Sequence, residues 1–325
     1  MRVILKAFLI GVGAVCAIAR PVHAQAPAYP SGPVRFVVPI GPGSSGDTLT
    51  RALAERFRAL TGQPAIVENR PGGDLVVATQ NVLGSPADGH SVLMVTTSVM
   101  ILNPMYLKDL PYKAQDLRPL MQLTRHMATL VTAADSRYRT LADVVASARE
   151  KPGTLGVATY GNYYRLGAMT LAGRTGTTFN HVPYKGASQV LPDVVNGVVD
   201  TGLVDPGAAT SLIGAGKLRA LAVTGTRRYE TLPDVPTVAE SGYPGYELHT
   251  FLGYAVHAQT PEPVARRLEE LLLQAANQPE FREFVARQGG AEFVGSNGRQ
   301  FAESIEREAT RYRELARQAG DAIQR

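Results

Sequence analysis

The sequence contains no tryptophan and a single cysteine among its 325 residues. That cysteine, Cys16, lies in an N-terminal stretch expected to be removed, so the mature chain has no thiol. Disulfides, thiol nucleophiles and thiolate metal sites are thereby excluded. Lipid attachment at Cys16 is not expected either, because Val15 stands where a lipoprotein site needs a small residue. Long apolar runs are also scarce. The one candidate, residues 7–19, has the length of a secretory h-region and is short for a bilayer span. Arg2 and Lys6 precede it and Val22-His23-Ala24 follows with small residues at the −3 and −1 positions. Residues 1–24 are therefore expected to be a signal peptide cleaved after Ala24, delivering residues 25–325 to the periplasm. Charge of one sign is lacking as well. The formal +5 comes from 33 basic and 28 acidic residues, and three of the basic ones leave with the signal. So nearly neutral a chain gives no reason to expect nucleic acid or a membrane surface as partner.

What is present is an alternation of strand and helix. Residues 34–38 form a short apolar run, as for a strand covered on both faces. A glycine-rich turn follows, then Leu49, Leu53, Phe57 and Leu60 at helical spacing, stopped by Gly62 and Pro64. Residues 65–67 and 92–95 read as further strands, with connections long enough for crossover helices and a largely parallel sheet. A second set begins after Leu120. Thr140 and Asp143 mark a capping-box-like helix start, and residues 156–158, 179–182, 201–204 and 219–223 read as strands, with a helix over 187–196. Residues 261–276, 279–288 and 298–319 read as three helices with little strand between them. The expectation is a two-lobed α/β fold with a helical C-terminal segment, the chain crossing between lobes near 120–131 and 245–256.

The sharpest local motif is Gly41-Pro42-Gly43-Ser44-Ser45-Gly46, between a strand and a helix, with Glu68 about 20 residues on. Read literally it is a dinucleotide fingerprint, and an exported or nucleotide-dependent α/β enzyme using this loop is the alternative reading. Pro42 lacks an N–H where donors are wanted, and an exported protein has little access to NAD. The same turn can hold any anion on backbone N–H groups at the positive end of a helix dipole, a carboxylate included. Asp47, in the first helical turn, is expected to cap free N–H groups there. A second strand-to-helix turn, Thr159-Tyr160-Gly161-Asn162-Tyr163-Tyr164-Arg165, offers donors and a cation. Its tyrosines alone would read as surface packing and Arg165 as a solvated charge; facing the first loop across a cleft, they would make a second jaw. No G-x-S-x-G elbow or P-loop occurs, and the histidines are scattered without metal-ligand spacing. No catalytic residue, metal or cofactor is expected.

Several segments together resemble the Bug family, the TctC-like solute receptors of tripartite tricarboxylate transport systems. They are 29–47; Glu68-Asn69-Arg70-Pro71-Gly72; Pro86-Ala87-Asp88-Gly89; His181-Val182-Pro183-Tyr184-Lys185-Gly186; and 216–224 with 232–237. The resemblance implies a type II periplasmic-binding-protein fold, lobe 1 being 25–124 with 249–325 and lobe 2 being 125–248. It also implies that the protein captures a small carboxylate between the lobes, as a monomer, for membrane transporter subunits or a sensor kinase. Candidate ligand-binding residues are Ile40, Gly41, Gly43, Ser44, Ser45 and Asp47 in the first loop, with Asp74, Thr97 and Ser98. The second lobe adds Tyr160, Gly161, Asn162, Arg165 and Asp205, with Arg165 as anchor for a second carboxylate. Two departures from the family pattern leave ligand identity open. Gly73-Asp74-Leu75 replace small residues, and 159–166 replace a glycine- and serine-rich loop ending in His-Leu.

Overall fold

The computed structural model describes residues 29–288 and 291–319. The expected signal peptide and its cleavage site lie outside them. The elements are β1 Val34–Val38, α1 Ser45–Thr61, β2 Ala65–Asn69, α2 Val76–Leu83, β3 Ser91–Thr96, α3 Asn103–Tyr106, β4 Leu117–Met127, β5 Thr129–Ala133, α4 Leu141–Glu150 and β6 Gly156–Thr159. There follow α5 Gly161–Thr175, β7 Asn180–Pro183, α6 Ala187–Val195, β8 Thr201–Val204, α7 Pro206–Gly214, β9 Leu218–Val223, β10 His249–His257, α8 Glu262–Ala276, α9 Pro279–Arg287, β11 Ala291–Asn297 and α10 Gly298–Ala319.

The strands form two sheets, ordered β11-β4-β10-β3-β1-β2 and β7-β6-β8-β5-β9. Both are mixed rather than largely parallel. β1 runs parallel to β2 and β3, and β6 to β7 and β8, but β10 is antiparallel to both β3 and β4, and β5 to both β8 and β9. The stretches read as crossings are therefore themselves strands. β4 ends in the first sheet at Met127, and β5 opens the second at Thr129. β10 lies in the middle of the first sheet, and β11 adds an edge strand between two of the C-terminal helices.

Local chemistry accounts for the elements. The core of the first sheet is the buried run Val34, Phe36, Val37 and Val38 against Leu49, Leu53 and Phe57 of α1. Gly62, at φ 68, ends α1 in the left-handed conformation. Thr140 and Asp143 close a reciprocal capping box on α4, through Asp143 N–H to Thr140 Oγ1 and Thr140 N–H to Asp143 Oδ2. α10 packs on the first sheet through Phe301, whose ring covers Gly253 so closely that a Cβ there would fall 2.4 Å from it. The two passages between sheets meet at Thr224. Its hydroxyl accepts the Ala128 N–H at 2.8 Å and donates to the Leu248 carbonyl at 2.9 Å, and its own N–H reaches the Ala128 carbonyl. One buried threonine thus ties both connections together at the pivot.

Candidate functional site

The start of α1 faces the second sheet. Ser44 is its N-cap, in extended conformation, and Ser44 Oγ donates to the Gly41 carbonyl at 2.9 Å, tightening the turn. Asp47 is buried and fully engaged within this loop. It accepts the Gly43 N–H (3.0 Å), Asn69 Nδ2 (2.9 Å) and Arg51, while Asn69 also reaches the Ile40 carbonyl. That bracing leaves the Ser45 N–H to point across the cleft.

There it meets Asp205. The Asp205 carboxylate accepts the Ser45 N–H at 3.3 Å, the Ala208 N–H at 3.0 Å and the Tyr160 hydroxyl at 2.5 Å. The Ala208 bond makes Asp205 the N-cap of α7. Burial raises the pKa of Asp205, and its hydrogen bonds from Tyr160, Ala208 and Ser45 oppose that rise. Tyr160, Tyr163 and Tyr164 are all buried, which corrects their reading as surface packing. The spacing i, i+3, i+4 places them on one face of the start of α5. Tyr160 and Tyr164 stack at 4.4 Å between centroids, and Tyr163 meets Tyr164 edge-on at 4.8 Å. Burial pushes all three phenols well above their ordinary pKa.

Between these groups lies a cavity of about 50 Å³. Of the expected residues, Ile40, Ser45, Ser98, Tyr160 and Asp205 line it. Ser98 opens a wide helical turn, Ser98–Leu102, and its Oγ accepts the Tyr163 N–H at 3.0 Å from the opposite side. Asn162 bridges the same two sides by donating to Asn103 Oδ1 at 2.8 Å. Gly41, Gly43, Ser44, Asp47 and Asn162 support the site without lining the cavity. Asp74 and Gly161 border an outer hollow with Tyr184, Lys185 and Gln189. Thr97 faces a polar hollow behind β10, with its Oγ1 accepting the Phe251 N–H at 3.2 Å.

Arg165 is not among the residues that line this cavity. It lines a separate depression with Val157, Phe179 and His181, where its charge adds to burial in lowering the His181 pKa. The cavity residues missed by the sequence reading are Gly46, Leu75, Met94, Thr96, His126, Thr250, Phe251 and Leu252, while Tyr163 and Tyr164 of the expected second jaw also line it. The tyrosine spacing was a usable signal. For Thr250, Phe251 and Leu252 the signal was masked once β10 was read as a crossing.

Residues 49–320 match the family model described as "Tripartite tricarboxylate transporter family receptor". The chain belongs to this family. It is a periplasmic solute-binding receptor. A curated Pseudomonas sp. relative, the "UPF0065 protein in tcbD-tcbE intergenic region", is 32% identical over 292 residues, covering 89% of this receptor and 86% of the relative. Protein BugT of Bordetella pertussis is 30% identical, covering 87% of each. Among solved structures, the periplasmic binding protein BugD aligns with a TM-score of 0.84 at 28% identity, over 90% of the receptor and 99% of BugD. The Rhodopseudomonas palustris protein Rpa4515 with adipate aligns at 0.85 and 27%, over 90% and 98%. The two-lobed binding-protein fold with a C-terminal helix is shared with these structures.

Proposed function

We propose that the receptor holds a small carboxylate in the cavity between its two sheets, with the ligand's carboxylate on the Ser45 N–H at the positive end of α1. One observation carries this reading. That N–H is met by a carboxylate, the one on Asp205 (3.3 Å), so the position suits a carboxylate oxygen that a ligand would supply in its place. The Rpa4515 structure with adipate supports the ligand class. The moving parts are the halves 25–124 with 249–325 and 125–248, pivoting at the Thr224 cluster. The receptor delivers its ligand to membrane subunits of a tripartite transporter, after export with cleavage following Ala24.

Binding without chemistry fits the same groups. Among the described residues no cluster of three or more His, Cys, Asp or Glu could hold a metal ion. The glycine-rich loop gives its Gly43 N–H to Asp47 and its Ser45 N–H to Asp205, and the cavity beside it is far smaller than the roughly 300–1,000 Å³ of ordinary ligand pockets. Thermal-shift measurements on the protein against mono-, di- and tricarboxylates test this. A carboxylate is expected to raise the melting temperature by mass action. A shift with NAD and none with any carboxylate would replace the binding reading with the enzymatic one.

A further inference from the structure

The turn between β2 and α2 places a large side chain where the backbone disfavours one. Asp74 and Leu75 both have positive φ, 50° and 73°, in the left-handed region that glycine adopts without strain. The turn is held from both sides of the cleft. Asn103 donates to the Asp74 carbonyl at 2.7 Å and in turn accepts from Asn162 of the opposite half. The Leu75 N–H closes on the Gly72 carbonyl at 3.0 Å. The consequence is that the Leu75 side chain is buried in the cavity wall, packed so near Gly161 that a Cβ there would lie 3.6 Å from Leu75 Cδ1. Leu75 also borders the outer hollow of about 710 Å³, so it stands as the partition between the small cavity and a much larger space.

The charges on the cavity wall are one-sided. Among the described residues that line it, Asp205 is the only carboxylate and there is no lysine or arginine. Arg165 points into a different depression, and His126 is held neutral by burial. Ile40, Met94 and Leu252 supply an apolar surface beside the Ser45 N–H. A ligand with one carboxylate can take that N–H over from Asp205, which keeps the Ala208 N–H and the Tyr160 hydroxyl, and lay its hydrocarbon against those side chains. A second carboxylate would be buried with neither a counter-charge nor a helix-end N–H to receive it, which is strongly unfavourable.

We propose that Leu75 is the specificity-determining residue of this receptor, closing off the cavity so that it takes a short-chain monocarboxylate and rejects longer chains and dicarboxylates. This rests on the carboxylate-binding reading above. With about 50 Å³ available, at roughly 10–15 Å³ for each water-sized group, the cavity accommodates only a few non-hydrogen atoms.

The test is calorimetric titration of the wild type, Leu75→Ala and Leu75→Gly with acetate, propionate, butyrate, hexanoate, succinate and adipate. Alanine opens the partition and keeps the left-handed strain; glycine opens it and relieves the strain. Melting of each free protein confirms that both variants fold. Wild type is expected to bind acetate or propionate at least tenfold more tightly than hexanoate, succinate or adipate. Both variants are expected to bind hexanoate at least tenfold better than wild type does, with acetate changed little and adipate still weak. An unchanged ratio of hexanoate to acetate affinity across the three proteins would overturn the role of Leu75. Tight succinate or adipate binding by the wild type would overturn the monocarboxylate assignment while leaving carboxylate binding intact. Heat from none of the six acids with any of the three proteins would overturn the parent reading and this one together.

Discussion

His126 sits on β4 with Nε2 2.5 Å from Thr124 Oγ1, and burial lowers its pKa from the ordinary 6.5 to about 4. The folded protein therefore keeps this ring neutral at pH values where an unfolded chain would protonate it. Between pH 6.5 and 4 the unfolded state binds more protons, so stability is present above this window and is lost as pH falls through it. At about 1.4 kcal/mol per pKa unit, the whole loss is on the order of 3 kcal/mol. His249 acts in the same direction, with its pKa lowered to about 3, chiefly by burial. Asp205 acts in the opposite one, because a raised carboxyl pKa weakens the fold as pH rises from 3.8 toward the raised value. The share of His126 is obtained by difference, from urea unfolding of wild type and His126→Gln at pH 7 and pH 4.5. The variant is expected to lose about 2 kcal/mol less than wild type on acidification. Parallel losses in the two proteins would show that protonation of His126 does not govern acid stability.

α1 offers a cleaner probe of binding than a side-chain deletion. Ser45 is its first residue, the helical position where proline is best tolerated, because its ring pre-sets φ and the N–H has no partner within the helix. Ser44 before it has φ −74 and ψ 158, the extended conformation that a residue preceding proline requires. Ser45→Pro therefore removes one cleft-facing donor and leaves the helix standing. Affinity for a carboxylate is expected to fall by about 1.5–3 kcal/mol, the range for a hydrogen bond to a charged group. Ser45 Oγ is buried without a hydrogen bond to the protein, so Ser45→Ala is expected to leave both affinity and stability close to wild type. Calorimetry on the pair decides it, and wild-type affinity in the proline variant would move the ligand off this helix. The elements also differ in how far their sequences declare them. β1, α1 and the α4 capping box are written in local patterns, an apolar run, a helical period and a Thr-x-x-Asp pair. β10 is not. It is buried over most of its length, begins and ends on histidine, and carries Gly253 at its middle, so it has neither alternation nor β-branched enrichment. β11 contains a bulge between Phe293 and Ser296 that breaks its period. At the site, the first loop was legible because turn chemistry is local, whereas Asp205 was reached only through the family resemblance. Leu75 and the displacement of Arg165 were not legible, because both depend on which way a turn directs a side chain.

Closure brings two backbones together with almost no space between them. Gly186, before α6, and Gly41, before α1, face each other across the cleft, and a Cβ on Gly186 would lie 3.0 Å from Gly41 N and 3.3 Å from its Cα. Gly186 has φ 173, extended backbone that alanine adopts freely, so Gly186→Ala is expected to fold normally and fail only at closure. Small-angle scattering with saturating ligand is expected to give a larger radius of gyration for the variant than for wild type, with weaker binding. Equal radii for the two liganded proteins would mean that these loops do not limit closure. The placement of β10 has a consequence of a different kind. It fills the gap between β3 and β4, strands that precede it by more than a hundred residues. Until residue 257 has followed, the first sheet lacks its middle and its core cannot close, although the second sheet is complete by Val223. Pairings this distant in sequence are slow to form. A polypeptide threaded through a membrane from its N-terminus must not fold on the near side first, and this strand order keeps its first lobe open until most of the chain has passed.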